Sequence, residues 1–255
     1  MKEPRAKRQR LDLLLVARGL AESREKAQRL ILAGEVFVND APATKPGHEV
    51  PEDCALRVRE PERFVSRGGL KLEAAFAQFA GLSAAGRVCV DIGASTGGFT
   101  DCLLQHGAAR VYAVDVGKLQ LHPRLVADPR VVVLDGCNAR NLQPGDLPET
   151  PDMAVTDVSF ISLQLILPAI DRLLKPGGEV VALIKPQFEA GREEVGKGGV
   201  IRDPALRQRI VARIREFGTQ TLGWQWLGGC ESPIQGPAGN VEFLSYWQKP
   251  AAPRV

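Results

Sequence analysis

Residues 88–101, VCVDIGASTGGFTD, decide the fold of this 255-residue chain. They begin with an apolar run that ends near an acid, pass through a glycine-rich turn and continue into a helix-like segment. This order is typical of the first strand, loop and helix of a nucleotide-binding α/β sheet, where amides at a helix N-terminus face a polar ligand. Gly93, Gly97 and Gly98 are expected to let the backbone turn tightly and to leave room for that ligand.

The glycine pattern differs from two common phosphate-binding motifs. Ala94 and Ser95 interrupt the G-x-G-x-x-G pattern of dinucleotide-binding folds, and no Gly-Lys-Ser/Thr follows as it does in a P-loop. A glycine-rich turn between a strand and a helix is also often a simple connection. The segments that follow therefore have to decide between a binding loop and a plain turn.

Four more apolar segments follow, with room for a helix between most of them: 111–117, 131–136, 153–160 and 179–188. Continuous apolar strands that alternate with helices predict a mostly parallel sheet that is covered on both faces. Two later segments, 224–229 and 241–249, are expected to form an antiparallel pair at one edge. The larger part of the chain is thus predicted to be a doubly wound α/β domain.

The N-terminal part of the chain has a different pattern. Residues 1–30 carry nine Lys/Arg and four Asp/Glu, whereas the whole chain has a formal net charge of only +3. Residues 1–10 are expected to be frayed, and two helices that each end at a glycine are expected at 11–17 and, after an N-cap at Ser23, at 24–33. Short strands are expected at 35–39 and 55–59. The local positive charge predicts an anionic partner.

A polar segment with a proline, residues 60–63, separates these two patterns. We therefore predict a small α+β domain at 1–60, a linker at 61–66 and the α/β domain at 67–250.

Cysteine and histidine usage places the chain among cytoplasmic proteins without a structural metal. The five cysteines lie far apart without a C-x-x-C pair, and none of the three histidines joins a cluster with metal-ligand spacing. No apolar run approaches the length of a membrane span. The apolar run that follows the basic start, residues 11–20, carries Asp12 and Arg18 and has no cleavage site of a signal peptide. We expect no metal and no membrane partner.

Polar residues stand at the predicted carboxyl ends of five strands, where ligands bind in open α/β sheets. They are Asp91, Asp115, Asp135, Asp157 and Lys185. Asp115 follows the glycine loop at roughly the spacing at which an acid binds a pair of ribose hydroxyls. This spacing alone leaves dinucleotide cofactors open, whereas the altered glycine pattern favours S-adenosylmethionine, which has no pyrophosphate.

Five blocks of the sequence, in chain order, resemble the TlyA family: DIGASTGGFTD, AVDVG, TDVSFISL, LIKPQFE and SPIQGPAGNVEF. The N-terminal stretch RLDLLLVARGLAESREKAQRLILAGEVFVND, continued by PATKPGHEV, is similar to the RNA-binding domain named after ribosomal small-subunit protein four. The resemblance covers almost the whole chain. It implies a Rossmann-like class I methyltransferase fold of the FtsJ type, S-adenosylmethionine as cofactor, and ribosomal RNA or ribosomal subunits as partner. Members of the family have often been labelled haemolysins.

The resemblance also places a catalytic tetrad at Lys71, Asp157, Lys185 and Glu242. A ribose 2′-hydroxyl is a poor nucleophile because its pKa lies far above neutrality, so its attack on a methyl group needs proton removal and charge stabilisation. We assign Lys185 as the principal base or hydroxyl-orienting group. Asp157 is expected to hold Lys185, and the other two residues complete the network.

Ligand contacts follow from the resemblance and from the positions of the strand ends. The predicted cofactor-binding residues are Asp91, Gly93, Ser95, Thr96, Gly97, Asp115, Asp135 and Asn138. The predicted RNA-binding residues are Arg8, Arg10, Arg18, Arg24, Lys26 and Arg29. Residues 191–199, rich in glycine and charge, are a candidate lid over RNA or cofactor.

Several other functions compete with methylation of a ribose. A non-catalytic RNA-binding assembly factor would keep the fold but needs no complete tetrad. A haemolysin needs a membrane-active segment, which the sequence lacks. Adenine methylation typically shows N/D-P-P-Y/F where this chain has Asp157-Val158-Ser159-Phe160, and Cys137 lacks the context of a cytosine-methylating nucleophile. A pseudouridine synthase would carry its R-L-D block in the large domain rather than at residues 10–12.

The resemblance implies a cytidine ribose as the acceptor, in 23S rRNA and in some members also in 16S rRNA. The short C-terminal end after Lys249 favours 23S rRNA alone.

Overall fold

The computed structural model describes residues 7–59, 62–191, 193–196 and 198–251. The chain divides into two compact units, Met1–Glu62 and Arg63–Val255, and each unit has its own hydrophobic core. The limits 1–60, 61–66 and 67–250 for the two domains and their linker stay a prediction, and Glu60 and Pro61 at that junction lie outside the described residues.

The N-terminal unit packs two helices against short strands. Its helices are α1 (Leu11–Ala17) and α2 (Arg24–Leu32), and its strands are β1 (Arg8–Arg10), β2 (Val36–Val38), β3 (Ala41–Pro42), β4 (Glu49–Pro51) and β5 (Leu56–Val58). Ser23 caps α2 as predicted, because its hydroxyl accepts a hydrogen bond from the Lys26 amide at 3.2 Å. Strands β3, β2 and β5 form a three-stranded sheet.

The expectation that residues 1–10 are frayed is wrong for the part that the structure describes. Strand β1 pairs antiparallel with β4, with Arg8 opposite Pro51 and Arg10 opposite Glu49. Three residues are too few to show a hydrophobic period, and the strand forms because β4 offers a free edge of backbone donors and acceptors. Residues 1–6 lie outside the described part of the chain.

The C-terminal unit is built on a seven-stranded, mostly parallel sheet. Its strands are β6 (Val88–Ile92), β7 (Arg110–Asp115), β8 (Val131–Asp135), β9 (Met153–Thr156), β10 (Glu179–Ile184), β11 (Gln225–Glu231) and β12 (Phe243–Gln248). They lie in the order β11-β12-β10-β9-β6-β7-β8. Strand β12 runs antiparallel to both β10 and β11, and the other pairs are parallel. The predicted sheet and its antiparallel edge pair are confirmed.

Helices cover both faces of this sheet. They are α3 (Gly68–Gln78), α4 (Gly98–Gln105), α5 (Pro123–Val126), α6 (Leu163–Leu173), α7 (Pro186–Glu189) and α8 (Pro204–Glu216). Strand β6 shows the two-sided burial, because Val88, Val90 and Ile92 join one core cluster while Cys89 joins the other. The first cluster also contains apolar residues of α6 and α8, and the second contains residues of α3 and α4.

Strands β9 and β10 each end four residues earlier than the sequence predicts, and polar residues of the site directly follow their ends. Strand β9 stops at Thr156 and β10 at Ile184, where Pro186 begins the short helix α7. The chain runs from β6 through β7 to β8 on one side of the sheet and then crosses to β9 on the other side. The carboxyl ends of β6 and β9 therefore flank the switch point at which open α/β sheets bind their ligands.

Candidate active site

The four predicted tetrad residues come from four different elements and meet at one edge of the sheet. Lys71 lies in the first turns of α3, Asp157 follows β9 and Lys185 follows β10. Glu242 directly precedes β12, which runs antiparallel to β10 and so begins at the edge where the parallel strands end. The topology thus gathers residues that are 171 positions apart in the chain.

The tetrad forms one connected chain of ion pairs. The Nζ atom of Lys71 donates to Glu242 Oε2 at 2.6 Å and to Asp157 Oδ2 at 3.4 Å. The Nζ atom of Lys185 lies 2.6 Å from Asp157 Oδ1. Asp157 therefore bridges the two lysines, and Glu242, whose side chain is only 1% exposed, is neutralised by Lys71. Each buried charge has an opposite charge in contact.

A cavity of about 410 Å³ opens over this network. Lys71, Asp157 and Lys185 line it together with Thr96 of the glycine loop. Ser159 also lines it, and the Ser159 hydroxyl accepts a hydrogen bond from Lys185 Nζ at 2.8 Å. Ser159 was not predicted as a site residue, although its position two residues after Asp157 was a usable signal.

A second cavity of about 460 Å³ adjoins the first at the switch point. Its lining includes four of the predicted cofactor residues: Gly93, Ser95, Asp115 and Asn138. Gly93, Ser95, Asp157 and Ser159 line both cavities. A molecule in the second cavity can therefore reach the tetrad in the first.

Asp115 shapes the second cavity through its hydrogen bonds. One of its carboxylate oxygens accepts from the Ser95 amide at 2.8 Å, and the other accepts from the Gly117 amide at 2.7 Å. These bonds hold the glycine loop against the end of β7. Ser95 has a φ of 49°, an uncommon value for a residue with a side chain, and the bond to Asp115 helps to stabilise that conformation.

Neighbouring protein atoms leave no room for a side chain at the glycines of the loop. At Gly93 a Cβ atom would lie 3.1 Å from the Asp157 carbonyl oxygen, and at Gly97 it would lie 2.3 Å from a methyl group of Leu125. At Gly98 it would lie 2.7 Å from the backbone nitrogen of Gly69. That these glycines also leave room for a ligand stays a prediction.

Three predicted cofactor residues line neither cavity: Asp91, Gly97 and Asp135. Gly97 faces Leu121 and Leu125, as its close contacts show. Asp135 is exposed and accepts a hydrogen bond from the Leu119 amide at 2.8 Å. The structure thus gives no support for direct cofactor contacts from these three, because a residue at a strand end can also point into the core or away from the switch point.

Asp91 is fully buried beneath the glycine loop. Its Oδ2 accepts a hydrogen bond from the Thr100 hydroxyl at 2.7 Å, whereas its Oδ1 has no partner among the described residues. Burial raises the pKa of Asp91 to about 7, and the negative charge of Asp157 adds to that effect while the bond from Thr100 opposes it. Its place under the loop makes it a support of the site.

The predicted RNA-binding residues of the N-terminal unit fall into two groups. Arg10 and Arg24 both pair with Asp12, which is completely buried, and the bond from Arg10 holds the pKa of Asp12 well below its usual range. Arg18 donates to the carbonyl oxygens of Cys54 and Glu52, and Arg8 donates to that of Glu49.

Lys26 and Arg29 form the second group. They are exposed on α2 and make no side-chain hydrogen bond or ion pair within the described residues. Most of the predicted RNA-binding arginines thus have donors committed inside their own unit, and these two remain open for an external anion.

One histidine does have metal-ligating neighbours, contrary to the sequence analysis. The ligand atoms of Glu73, Cys102 and His106 lie within 4.8 Å of one another. Glu73 already forms a hydrogen bond with His106 at 2.7 Å and an ion pair with Arg63 at 2.7 Å, and these two contacts account for the cluster. That the protein works without a metal stays a prediction.

The candidate lid is tied to the segment that carries Glu242. The Asn240 amide donates to the Gly199 carbonyl at 2.9 Å, and its oxygen accepts from the Ile201 amide at 3.0 Å. Within residues 191–199, Arg192 and Lys197 lie outside the described residues. The lid itself stays a prediction.

Sequence reasoning also missed Phe160, which lines the second cavity and is 90% exposed. Its φ is 63°, and its ring lies against that of Phe188 with centroids 4.9 Å apart. An aromatic residue in a left-handed conformation at the mouth of a site is uncommon, and such strain is often found at functional positions. The signal was its place directly after Asp157-Val158-Ser159.

The sheet topology and the switch-point site together define the class: an α/β methyltransferase fold that follows a small α+β unit. The FtsJ-like methyltransferase family matches residues 64–249, and the S4 domain matches residues 9–53.

Relatives that align over almost the whole chain identify the family within this class. The 16S/23S rRNA (cytidine-2′-O)-methyltransferase TlyA of Mycobacterium tuberculosis is 49% identical, over 94% of this chain and 89% of its own. A Bacillus subtilis protein provisionally named rRNA methyltransferase YqxC is 50% identical, over 96% of this chain and 87% of its own. A solved structure from Streptococcus thermophilus, provisionally named a hemolysin, has a TM-score of 0.73 and 45% identity, and covers 96% of this chain and 90% of its own. The chain belongs to the TlyA family of FtsJ-like methyltransferases.

Among the helices that the structure describes, none is both long enough and apolar enough to cross a bilayer.

Proposed function

We propose that this protein transfers a methyl group from S-adenosylmethionine to the 2′-hydroxyl of a cytidine ribose in ribosomal RNA. The observation that carries the proposal is the ion-pair chain of Lys71, Asp157, Lys185 and Glu242 at the floor of a cavity that adjoins a second, cofactor-sized one. A non-catalytic assembly factor would have no use for four ion-paired charges gathered from four elements, three of them buried and that of Asp157 partly buried, since each charge costs desolvation energy.

The residues of the second cavity fit the cofactor. Asp115 sits where its carboxylate can accept from a pair of ribose hydroxyls, and Asn138 offers an amide next to it. Val158, Ile161 and Ala139 give an apolar lining suited to an adenine ring. When bound, S-adenosylmethionine supplies an electrophilic methyl group on its sulfonium.

The tetrad would act on the acceptor hydroxyl. Asp157 and Ser159 hold the Lys185 amine at the floor of the first cavity, where it can orient the 2′-hydroxyl. Once the Lys185 ammonium has released a proton to solvent, the neutral amine can take the proton of the hydroxyl as the oxygen–carbon bond forms. Lys71 compensates the charges of both Asp157 and Glu242, which keeps this geometry fixed while the proton moves. Removal of the proton gives the hydroxyl oxygen the electron density that attack on the methyl carbon requires.

The surroundings of the tetrad suit a nucleotide drawn out of a folded RNA. The exposed Phe160 ring offers a face on which a base can stack, and Arg67 lines the first cavity where a phosphate would pass. Stacking of an unpaired base on an aromatic ring is a common way in which proteins hold single-stranded loops and bulges of RNA.

The relative from Mycobacterium tuberculosis carries a name with both 16S and 23S rRNA. We propose a cytidine in 23S rRNA as the acceptor for this chain, with 16S rRNA as the second substrate to be tested. A ribosomal substrate also implies a cytoplasmic location.

The test compares methyl transfer with cofactor binding in wild type and Lys185→Ala. Transfer from S-adenosylmethionine into unmodified large and small ribosomal subunits should fall at least ~100-fold in the variant, because a positioned acid–base group typically contributes that much. The affinity for S-adenosylmethionine should change little, since Lys185 does not line the second cavity. Lys175→Ala is the matched control, because Lys175 pairs with Asp152 outside both cavities.

Three outcomes separate the candidates. Transfer that survives in Lys185→Ala would refute the assigned role of Lys185. Cofactor binding without transfer to either subunit by the wild type would favour an assembly factor. Label in the small subunit as well as the large would support the proposed methyltransferase activity and add 16S rRNA to its substrates.

A further inference from the structure

The three-stranded sheet of the N-terminal unit carries an aromatic and two cations on one face. Side chains alternate along a strand, so Val36 and Val38 of β2 pack in the core while Phe37 points to the opposite face. On the neighbouring strand, Arg57 lies directly opposite Phe37. Arg59 follows two residues later, which places it on the same face.

Both guanidinium groups lie over the Phe37 ring. The Cζ atom of Arg57 is 4.2 Å from the ring centroid, and that of Arg59 is 5.6 Å away. These are distances at which a cation is attracted to the face of an aromatic ring. The ring thereby holds two exposed, flexible side chains in a defined arrangement, which lowers the entropy that a ligand would have to remove.

The two arginines differ from most of the predicted RNA-binding residues because their charges are not used internally. Neither guanidinium has a hydrogen bond or an ion pair among the described residues. Arg10 and Arg24, by contrast, neutralise the buried Asp12, and Arg18 donates to backbone carbonyls. The N-terminal unit thus carries two uncompensated, stacked cations on a face that the sequence analysis did not single out.

We propose that the surface formed by Phe37, Arg57 and Arg59 binds phosphate groups of the substrate RNA. The proposal rests on the proposed function, since it concerns how that RNA is held. A guanidinium that stacks on a ring keeps its N–H edges free, and these edges match two oxygens of one phosphate. A protein partner would bury an apolar patch at such a site, whereas here the single ring is covered by cations.

This surface acts in addition to Lys26 and Arg29 on α2. Two separate cationic faces on one small unit would let it contact two backbone segments of a folded RNA, and this suits recognition by shape rather than by sequence.

The test is the binding of the full chain to transcribed 23S rRNA at a series of salt concentrations. Each phosphate contact contributes about 0.7–0.9 to the slope of log affinity against log salt. We expect Arg57→Ala and Arg59→Ala each to reduce the slope by about that amount, and the double variant to bind roughly 10-fold more weakly near physiological salt. Arg209→Ala, which removes an exposed charge from α8, is the matched control and should leave the slope unchanged.

Arg57→Lys with Arg59→Lys separates charge from stacking. This variant should keep the salt slope of the wild type and lose only part of its affinity, since lysine keeps the charge but not the planar fork. Retention of the wild-type slope in the double alanine variant, with an affinity equal to that of Arg209→Ala, would overturn the proposal.

The proposed function and this surface can fail independently. Weaker RNA binding by the alanine variants of a chain that methylates nothing would support the surface and refute the enzyme. If the wild type does methylate rRNA and the alanine variants bind RNA as tightly as it does, the enzyme would be supported and the surface refuted. Methyl transfer at saturating RNA should be the same in all four variants of Arg57 and Arg59, because neither residue lies in the unit that holds the tetrad.

Discussion

At the scale of a single residue, the buried carboxyl group of Asp91 lies directly before the glycine loop and helps to position it. Asp91 lies in β6, two residues before the glycine loop begins at Gly93, and is fully buried, with one oxygen bonded to Thr100 and the other without a partner among the described residues. A carboxylate in such a place is costly, and this is why its pKa rises to about 7. The folded protein therefore keeps a proton on Asp91 that the unfolded chain would release near its ordinary pKa of 3.8.

Asp91→Asn should remove this pH dependence. Since the folded form binds the proton more tightly, wild-type stability falls as the pH rises from about 4 to about 7 and stays low above that range. The stability of the variant relative to wild type should grow by about 1–2 kcal/mol between about pH 5.5 and about pH 8, or by several degrees in Tm. Thermal unfolding of the cofactor-free wild type and variant at both pH values measures this difference in stability. An equal difference at the two pH values would contradict the raised pKa of Asp91.

At this scale the family resemblance placed the tetrad at four residues that the structure brings together, and their catalytic role stays a prediction. Asp91, Gly97 and Asp135 were not assignable, since the direction of a side chain at a strand end depends on packing that no motif encodes. Ser159 and Phe160 could have been found, because they follow Asp157 in the segment that leaves the sheet.

At the scale of elements, the close contact of α3 with α4 positions Lys71. Gly98 begins α4, and a Cβ atom there would lie 2.4 Å from the Ser66 hydroxyl oxygen and 2.7 Å from the Gly69 nitrogen. These atoms belong to the turn that starts α3, only a few residues before Lys71. The first turn of α3 is thus fixed against the glycine loop.

Gly98→Ala should therefore displace the start of α3 and Lys71 with it. We expect a loss of about 1–3 kcal/mol in stability, typical of an overpacked contact with backbone, and a fall in methyl-transfer rate at saturating RNA. Gly145→Ala is the matched control, because a Cβ atom there meets nothing within 4 Å. Thermal unfolding and single-turnover transfer measure both effects. A variant with wild-type stability and rate would show that α3 can shift without cost.

Element order and type could be predicted well from the sequence, and element ends less well. The apolar runs identify all seven strands of the large sheet, yet two of the runs continue past Thr156 and Ile184 into the loop and helix that carry the site. Strand β1 could not be predicted, because its stability comes from its pairing with β4, forty residues later. Local patterns do not report such long-range pairing.

At the scale of the whole molecule, the account assigns a division of labour to two units, each with its own core. The unit at Arg63–Val255 holds the proposed cofactor cavity and the tetrad, whereas the described residues of the unit at Met1–Glu62 hold cationic surfaces and no catalytic constellation. Family membership supports this division, because the S4 domain match lies within the first unit and the FtsJ-like match within the second.

Methylation of a cytidine 2′-hydroxyl is tested most simply by identifying the nucleotide that becomes methylated. Unmodified ribosomal subunits would be treated with the protein and methyl-labelled S-adenosylmethionine, and their RNA would then be hydrolysed in alkali. A 2′-O-methyl group blocks cleavage at its own nucleotide, so the account predicts label in alkali-resistant dinucleotides that begin with cytidine, absent with Lys185→Ala. Label released with ordinary mononucleotides would mean a methylated base and would contradict the assignment of the tetrad to a ribose hydroxyl.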